Sequence, residues 1–231
     1  MKFVFEERPS DSPFVGRVWR TQSEETGMFL SQAKTCGMIV LTRYRGETIL
    51  TLRGPETKVT LMDYTSTGAE FLGIDLKLGV FLPHFLPEKL MNQNDVNLPE
   101  AGSQSFWLRG SAWQYPDFDN ADTFVNRLIR EDLLVHDPIV DAVLQGHSHD
   151  LSLRTAQYRF ARATGLSHRM VQLIERARYS ASLLEQGVSI LDVVYQAGYF
   201  DQPHLTRSLK RFLGQTPAQI VGNKQSDHQR Y

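Results

Sequence analysis

The segment SILDVVYQAGYFDQPHLTRSLKRFLGQTPAQI, residues 189–220, contains two short helical patterns separated by a glycine-containing turn. The first pattern begins at Ser189, with Asp192 three residues later in the spacing of a capping box. The second begins after Asp201, a favourable N-cap residue, and ends before Gly214, a favourable residue for closing a helix. Two helices joined by a tight turn form a helix-turn-helix, which is the prediction for this segment.

The second of these helices has an apolar face and a basic face. At 100° per residue, Leu205, Leu209 and Phe212 fall on one side, and the other side carries Pro203, His204, Arg207, Lys210 and Arg211. An α-helix fits the major groove of DNA, where Arg recognises guanine, Gln recognises adenine and Lys holds phosphates. Any amphipathic surface helix also carries charge outward, so this face alone leaves an ordinary solvated helix as the alternative.

A second helix of the same design precedes this segment and favours DNA binding. Ser152 caps it and Gly165 closes it, while its apolar side is formed by Leu153, Ala156, Phe160 and Ala163. The opposite side carries Arg154, Gln157, Tyr158 and Arg162. A longer helix from Ser167 to about Gln186 joins the two and is long enough to place them in successive major-groove segments.

The charge of the chain is unevenly distributed. The 231 residues have a formal net charge of −1, with 41% hydrophobic and 22% charged residues, as in ordinary globular proteins. Residues 1–150 carry 14 Lys and Arg against 21 Asp and Glu, whereas residues 151–231 carry 11 against 5. A basic carboxyl-terminal third on an acidic body indicates a separate nucleic-acid-binding module, although basic surfaces also bind anionic lipids or acidic proteins.

The segment 189–220 resembles the signature of the AraC-type (AraC/XylS) bacterial transcription regulators. In that family I-x-x-[IV]-[AV]-x-x-[AV]-G-[FY] leads into a recognition helix and then into F-x-x-x-x-G-x-[ST]-P. The matching positions are Ile190, Val193, Val194, Ala197, Gly198, Tyr199, Leu205, Arg207, Phe212, Gly214, Thr216 and Pro217. The upstream stretch SLRTAQYRFARATGLS resembles the first recognition helix of the family, so the resemblance covers about 80 residues.

The resemblance implies a DNA-binding domain of two helix-turn-helix subdomains. Base contacts carry over to Arg154, Gln157 and Tyr158 in the first recognition helix and to Gln202, Pro203, His204, Thr206 and Arg207 in the second. Phosphate contacts are expected from Arg159, Arg162, Arg169, Lys210 and Arg211. Two departures are visible: the polar link HSHDL shortens the first motif, and Pro203 stands where the family often has a polar side chain, which leaves only apolar contact such as that with a thymine methyl group.

The amino-terminal half reads as β-rich. Residues 37–54 and 57–82 alternate apolar and polar side chains with frequent Gly or Pro breaks, which favours a small barrel or sandwich. Residues 83–119 read as irregular loop with short helices, and residues 121–135 and 137–146 read as two further helices, the second capped by Asp137. The fold class is therefore α+β: a β-rich barrel-like domain followed by an all-α domain of two helix-turn-helix subdomains joined by a linker helix.

Four segments are expected along the chain. They are a sensing or dimerisation domain at 1–116, a connecting helix at 117–136, the double helix-turn-helix at 137–222 and a polar tail at 223–231. The family resemblance implies double-stranded DNA as a partner, and a small-molecule effector, a homodimer, and RNA polymerase for an activator as further ones. Candidate aromatic groups for an effector pocket are Trp19, Tyr44, Phe71, Trp107 and Trp113.

Motifs for catalysis or metal binding are not expected to form a site. A cupin-like metal enzyme is the alternative, but it needs several His ligands, and the β-rich region offers only His84. His147 and His149 fall in the predicted link between helices, and no nucleophile, P-loop or dinucleotide motif is present. The opening MKFVFEERPSDSP is too acidic for a signal peptide, and no stretch is apolar enough to span a membrane. Cys36 has no second cysteine with which to form a disulfide. A cytoplasmic protein without cofactor or metal is therefore expected.

Overall fold

A computed structural model describes residues 3–24, 27–64, 67–146 and 151–228. The chain divides into two compact units. The sheet unit contains Met1–Met28, Cys36–Pro55 and Asp63–His168. The carboxyl-terminal unit contains Arg169–Tyr231 together with two strand-containing loops from the amino-terminal half, Phe29–Thr35 and Glu56–Met62.

The strands of the described residues are short and antiparallel. They are β1 (Phe3–Arg8), β2 (Val15–Ser23), β3 (Gly27–Ser31), β4 (Met38–Tyr44), β5 (Glu47–Arg53), β6 (Thr60–Tyr64), β7 (Glu70–Leu76), β8 (Val80–Phe81), β9 (Val96–Leu98), β10 (Glu100–Gly102), β11 (Ser105–Leu108), β12 (Ser111–Gln114) and β13 (Val135–His136). The largest sheet has the order β1-β2-β7-β4-β5-β9, and β10-β11-β12, β13-β8 and β3-β6 form smaller sheets. Since β1 and β9 are edges, the large sheet is not closed into a barrel, and the fold is α+β as predicted, with a β-rich amino-terminal part and a helical carboxyl-terminal part.

The prediction of an irregular segment at 83–119 is wrong over its second half. Four strands, β9 to β12, occupy residues 96–114, and β11 pairs with β12 from Ser105↔Gln114 to Leu108↔Ser111. Each of these strands is only three or four residues long, so it shows too few alternations to give a period-2 pattern.

One face of the large sheet and the helix α1 (Ala121–Arg130) enclose the core of the sheet unit. The alternation of strand residues places apolar side chains on that face, and α1 contributes a matching stripe. The buried residues include Val18, Ile39, Leu41, Leu50, Leu52, Leu72 and Ile74 from the sheet and Phe124, Val125 and Leu128 from α1. Helix α1 ends at Arg130, five residues before the expected end, and β13 follows it.

Asp122 fastens α1 to the amino-terminal segment of the same unit. Its carboxylate accepts hydrogen bonds from the Ser10 hydroxyl and from Arg8 at 2.7 Å. Burial of this carboxyl opposes its charged form, but the bonds from Ser10 and Arg8 outweigh that effect and lower the pKa of Asp122 below its ordinary value. The charged form of Asp122 therefore stabilises the fold.

Two further helices belong to the sheet unit. They are α2 (Ile139–Leu144) and α3 (Leu153–Thr164), and α3 packs against α2, β8 and the 3-10 turn Pro87–Lys89. Gly165 ends α3 in the left-handed conformation, and a β-carbon there would lie 2.9 Å from the backbone of the 3-10 turn. Glycine at this position therefore permits both the helix end and the close packing beneath it.

The carboxyl-terminal unit consists of four helices and the two amino-terminal loops. The helices are α4 (His168–Glu185), α5 (Ile190–Gln196), α6 (Gln202–Leu213) and α7 (Pro217–His228). Buried apolar side chains line α4, α5 and α6, among them Val171, Ile174, Leu184, Val193, Leu205, Leu209 and Phe212. Helix α7 includes most of the segment expected to be a polar tail.

The two amino-terminal loops complete the end of α6 within this unit. The Ala33 N–H donates to the Phe212 carbonyl and the Val59 N–H donates to the Arg211 carbonyl, both at 2.8 Å. Arg178 of α4 donates to the Ala33 carbonyl, also at 2.8 Å. Because the last carbonyls of a helix lack partners within the helix, these bonds satisfy groups that would otherwise need water or a cap.

Candidate nucleic-acid interface

Helix α6 is built so that one face packs and the other is free. The Asp201 side chain accepts a hydrogen bond from the His204 N–H at 2.7 Å, which caps the start of the helix, and Pro203 lies in the first turn. Leu205 and Leu209 have no solvent exposure and Phe212 has 2%. The predicted limits and apolar face of this helix are thus those of the structure.

The free face of α6 carries the groups predicted to contact DNA. Gln202, Pro203, Arg207, Lys210 and Arg211 are exposed, and Thr206 is half-buried. Among the described residues, no carboxylate forms a salt bridge with Arg207, Lys210 or Arg211. These charges are therefore available to an external anion.

His204 lies in a different environment from its neighbours. Its ring packs edge-on against Tyr199, with centroids 5.1 Å apart, and its Nδ1 accepts from the Phe200 N–H at 3.5 Å. It is half-buried, so the structure places it inside the turn between α5 and α6. A base contact by His204 stays a prediction.

The linker helix holds the same turn in place. The Arg176 guanidinium of α4 lies 4.3 Å from the Tyr199 ring centroid and donates to the Gly198 carbonyl at 3.4 Å. The Tyr199 hydroxyl and the Ser208 hydroxyl are 3.0 Å apart, which ties the turn to α6. Contacts among α4, the turn at residues 198–199 and α6 therefore hold the start of α6 in place. Sequence analysis did not identify the role of Arg176, because no local sequence pattern indicates it.

Helix α3 presents a second polar face in the sheet unit. The Ser152 hydroxyl accepts from the Thr155 N–H at 3.2 Å and caps the helix. The predicted base-contact residues Arg154, Gln157 and Tyr158 are exposed, as is Arg162. Phe160 and Ala163 are buried as predicted, but Leu153, in the first turn of α3, is 76% exposed.

Arg159 is engaged in an ion pair instead of being free for a phosphate. Its guanidinium donates to both oxygens of Asp137, at 3.1 and 2.6 Å. The hydrogen bonds and the charge of Asp137 raise the pKa of Arg159. Asp137 also accepts from the Ile139 N–H at 3.1 Å, so it has the capping role expected for it at the start of α2.

Other predicted residues are placed as follows. Arg169 is exposed in the first turn of α4. His147 and His149 lie outside the described residues, and so does most of the link between α2 and α3. In the parts of the chain that are described, no group of three or more His, Cys, Asp or Glu side chains is arranged to hold a metal ion. The same parts contain no helix with the length and apolar content of a membrane span.

The structure places the aromatic residues predicted for an effector pocket in different environments. Trp113 is buried in the core against Phe124, Trp107 is 45% exposed, and Trp19 donates to Asp75 at 3.2 Å. Of these five residues, Phe71 alone lines a cavity of about 490 Å³ in the described part of the sheet unit. Sequence analysis missed its other lining groups, which include Arg20, Arg43, Glu70 and Phe118.

The geometry defines a class of protein. A capped helix with a buried apolar stripe, a free basic face and a preceding helix joined by a tight turn is the arrangement by which helix-turn-helix proteins enter the major groove. The basic groups of α6 stand on the exposed side of that arrangement. The class is therefore a helix-turn-helix DNA-binding protein.

Comparison with known proteins agrees with this class. Residues 148–222 match the model of a helix-turn-helix domain of the AraC type, and this domain supports a DNA-binding transcription regulator. No curated protein sequence matches the chain.

Solved structures give a distant match. ToxT from Vibrio cholerae is 11% identical, with a TM-score of 0.38, over 94% of this chain and 98% of that chain. ToxT from Vibrio cholerae O395 bound to (E)-4-(8-methylnaphthalen-1-yl)but-3-enoic acid is 12% identical, with a TM-score of 0.39, over 95% and 99%.

Proposed function

We propose that this regulator recognises a two-part DNA site with two helices, α3 and α6, which enter adjacent segments of the major groove. The amino-terminal residues 1–116 are proposed to control this binding through a small-molecule effector or through dimerisation. The cavity of about 490 Å³ beside Phe71 supports the effector part of the proposal. RNA polymerase is a proposed partner for the case in which the protein activates transcription.

The observation that carries the proposal is the exposed face of the amino-terminal half of α6. Gln202 and Arg207 are exposed there, and both side chains have the chemistry of direct base readout. Lys210 and Arg211 follow on the same exposed face, where they are proposed to hold phosphates. Because the buried stripe of α6 fixes its rotation, this face is held outward by packing rather than by chance.

Helix α3 is proposed to read the second half of the site. Arg154, Gln157 and Tyr158 supply its base contacts, with Arg162 and Arg169 on phosphates. Arg159 is paired with Asp137, so in this proposal it contacts a phosphate either while keeping that ion pair or after breaking it.

The test is a selection of bound sequences from random duplex DNA with the full-length chain. The variants are Arg207→Ala and Arg154→Ala, and the matched control is Arg130→Ala, which removes the same charge from an exposed position on α1. We expect a site of two parts about one helical turn apart, near 34 Å. Arg207→Ala should relax selectivity in one part and Arg154→Ala in the other, each at a cost of about 1–3 kcal/mol.

The salt dependence of binding separates base contacts from phosphate contacts. Lys210→Ala should weaken binding to all sequences alike and lower the slope of log K against log salt by about one. Arg130→Ala should leave both the selected site and the slope unchanged. Enrichment of no sequence, or equal selectivity of Arg207→Ala and the unmodified chain, would overturn the proposal.

A further inference from the structure

Each of the two recognition helices begins beside an exposed apolar side chain. Leu153 is the first residue of α3 and is 76% exposed, and Phe200 directly precedes the cap of α6 and is 91% exposed. A single exposed apolar residue is ordinary on a protein surface. Leu153 and Phe200, however, lie at the amino-terminal ends of two helices that have the same kind of cap and the same kind of exposed polar face. This similarity suggests that both side chains contact the same kind of ligand group.

The position of Phe200 is held by its neighbours. Tyr199, on one side, is buried and bonded to Ser208, and Asp201, on the other side, caps α6. The Phe200 N–H itself donates to His204 in the first turn of the helix. The backbone therefore fixes Phe200 at the start of α6, next to the exposed Gln202, with its ring in solvent.

Leu153 is placed in a comparable way. Helical geometry puts it in line with the buried Phe160 and beside Gln157 one turn later. The capping bond from the Thr155 N–H to Ser152 keeps this first turn helical. Leu153 thus continues the apolar side of α3 to the exposed amino-terminal end of the helix.

The chemistry of the major groove offers one apolar group, the C5-methyl of thymine. Phosphates and the other base edges are polar and gain nothing from a phenyl or isobutyl group. The amino-terminal turn of a recognition helix is the part that lies closest to base edges. Phe200 adjoins the first turn of α6, and Leu153, on the apolar side of α3, lies about 40° around the helix from Gln157 of the proposed DNA-contacting face.

We propose that Phe200 and Leu153 each contact a thymine methyl group, so that each half of the operator contains a thymine beside the bases read by α6 and α3. This inference rests on the proposed function. It adds two residues to the base contacts that the family resemblance implies, and it assigns them a defined chemical target.

The experiment uses the full-length chain and the duplex obtained from the selection. Each thymine is replaced in turn by deoxyuridine, which lacks only the methyl group, and binding is measured for the unmodified chain and for Phe200→Ala. At one thymine, the replacement should weaken binding of the unmodified chain about fourfold, the ratio that corresponds to one methyl or methylene group removed from water. Phe200→Ala should show no such penalty there.

Three further variants complete the test. Phe200→Leu keeps an apolar group and should retain part of the penalty. Tyr195→Ala removes an aromatic side chain that is 88% exposed on α5, and it should retain the full penalty. Leu153→Ala should abolish the penalty at a thymine in the other half of the site and leave the first one unchanged.

The outcomes separate this inference from the proposed function. Failure to select any sequence contradicts the proposed function itself. A selected site at which deoxyuridine costs the unmodified chain and Phe200→Ala equally, or costs neither of them anything, overturns the inference alone. A uniform loss of affinity by Phe200→Ala on thymine and deoxyuridine duplexes also overturns it, since Phe200 would then contact something other than a methyl group.

Discussion

Replacing Gly214 with alanine tests how the end of the recognition helix is held. Gly214 closes α6 with φ +75°, a left-handed conformation that costs an ordinary residue about 1–2 kcal/mol. A β-carbon there would also lie 3.0 Å from Leu30 Cδ1 and 3.1 Å from Val59 Cγ2, both in the two amino-terminal loops. Crowding of this kind typically adds about 1–3 kcal/mol.

Gly198 provides a matched control in the same unit. It has φ +67°, and nothing lies within 4 Å of the position that a β-carbon would take. Gly198→Ala should therefore cost only the backbone term, about 1–2 kcal/mol, whereas Gly214→Ala should cost about 2–5 kcal/mol. The difference between the two variants measures the contact with the loops.

Hydrogen exchange of the α6 amides in the full-length chain is the suitable assay, because it reports the opening free energy of this helix separately from the sheet unit. Leu30→Ala provides the second test, since Leu30 is 47% exposed and its own truncation should cost little. In the double variant it should recover part of the loss caused by Gly214→Ala, with a coupling of about 0.5 kcal/mol or more. Equal costs for Gly214→Ala and Gly198→Ala, or purely additive effects with Leu30→Ala, would refute the reasoning.

Three other predictions concern single side chains. Asp137→Asn keeps an oxygen for the α2 cap but removes the charge that pairs with Arg159. In a binding titration, DNA affinity should rise and the slope of log K against log salt should steepen. An unchanged slope would show that Arg159 does not reach a phosphate. Asp122→Asn should destabilise the chain to urea at neutral pH, and the difference should shrink as the pH falls below about 4, because the lowered pKa of Asp122 stabilises the fold only while the group is charged. Leu205→Ala should lower the unfolding free energy by about 2–5 kcal/mol, because this side chain has no solvent exposure, and DNA binding should be lost as the domain unfolds. A stable variant with normal binding would contradict the assigned core.

The candidate site shows which signals a sequence carries for function. Arg207 was predicted to be exposed on α6 because it lies opposite the apolar stripe of Leu205, Leu209 and Phe212, and the structure places both Arg207 and Gln202 in solvent. The pairing of Arg159 with Asp137 was not predicted, because it joins two elements 22 residues apart. The choice of aromatic residues for an effector pocket was limited for a similar reason. Composition identifies aromatic residues, but it does not show which of them line a cavity.

The sequence by itself determined the second helix-turn-helix of this protein. Caps, helix-ending glycines and apolar periodicity act within one or two turns, so the limits of α5 and α6 and the buried stripe of α6 follow from neighbouring residues. Only the tertiary structure decided that the loops at 29–35 and 56–62 belong to the unit of the second helix-turn-helix. The reason is physical: the bonds from Ala33 and Val59 to the end of α6 link backbone groups more than 150 residues apart, and backbone donors carry no side-chain signature.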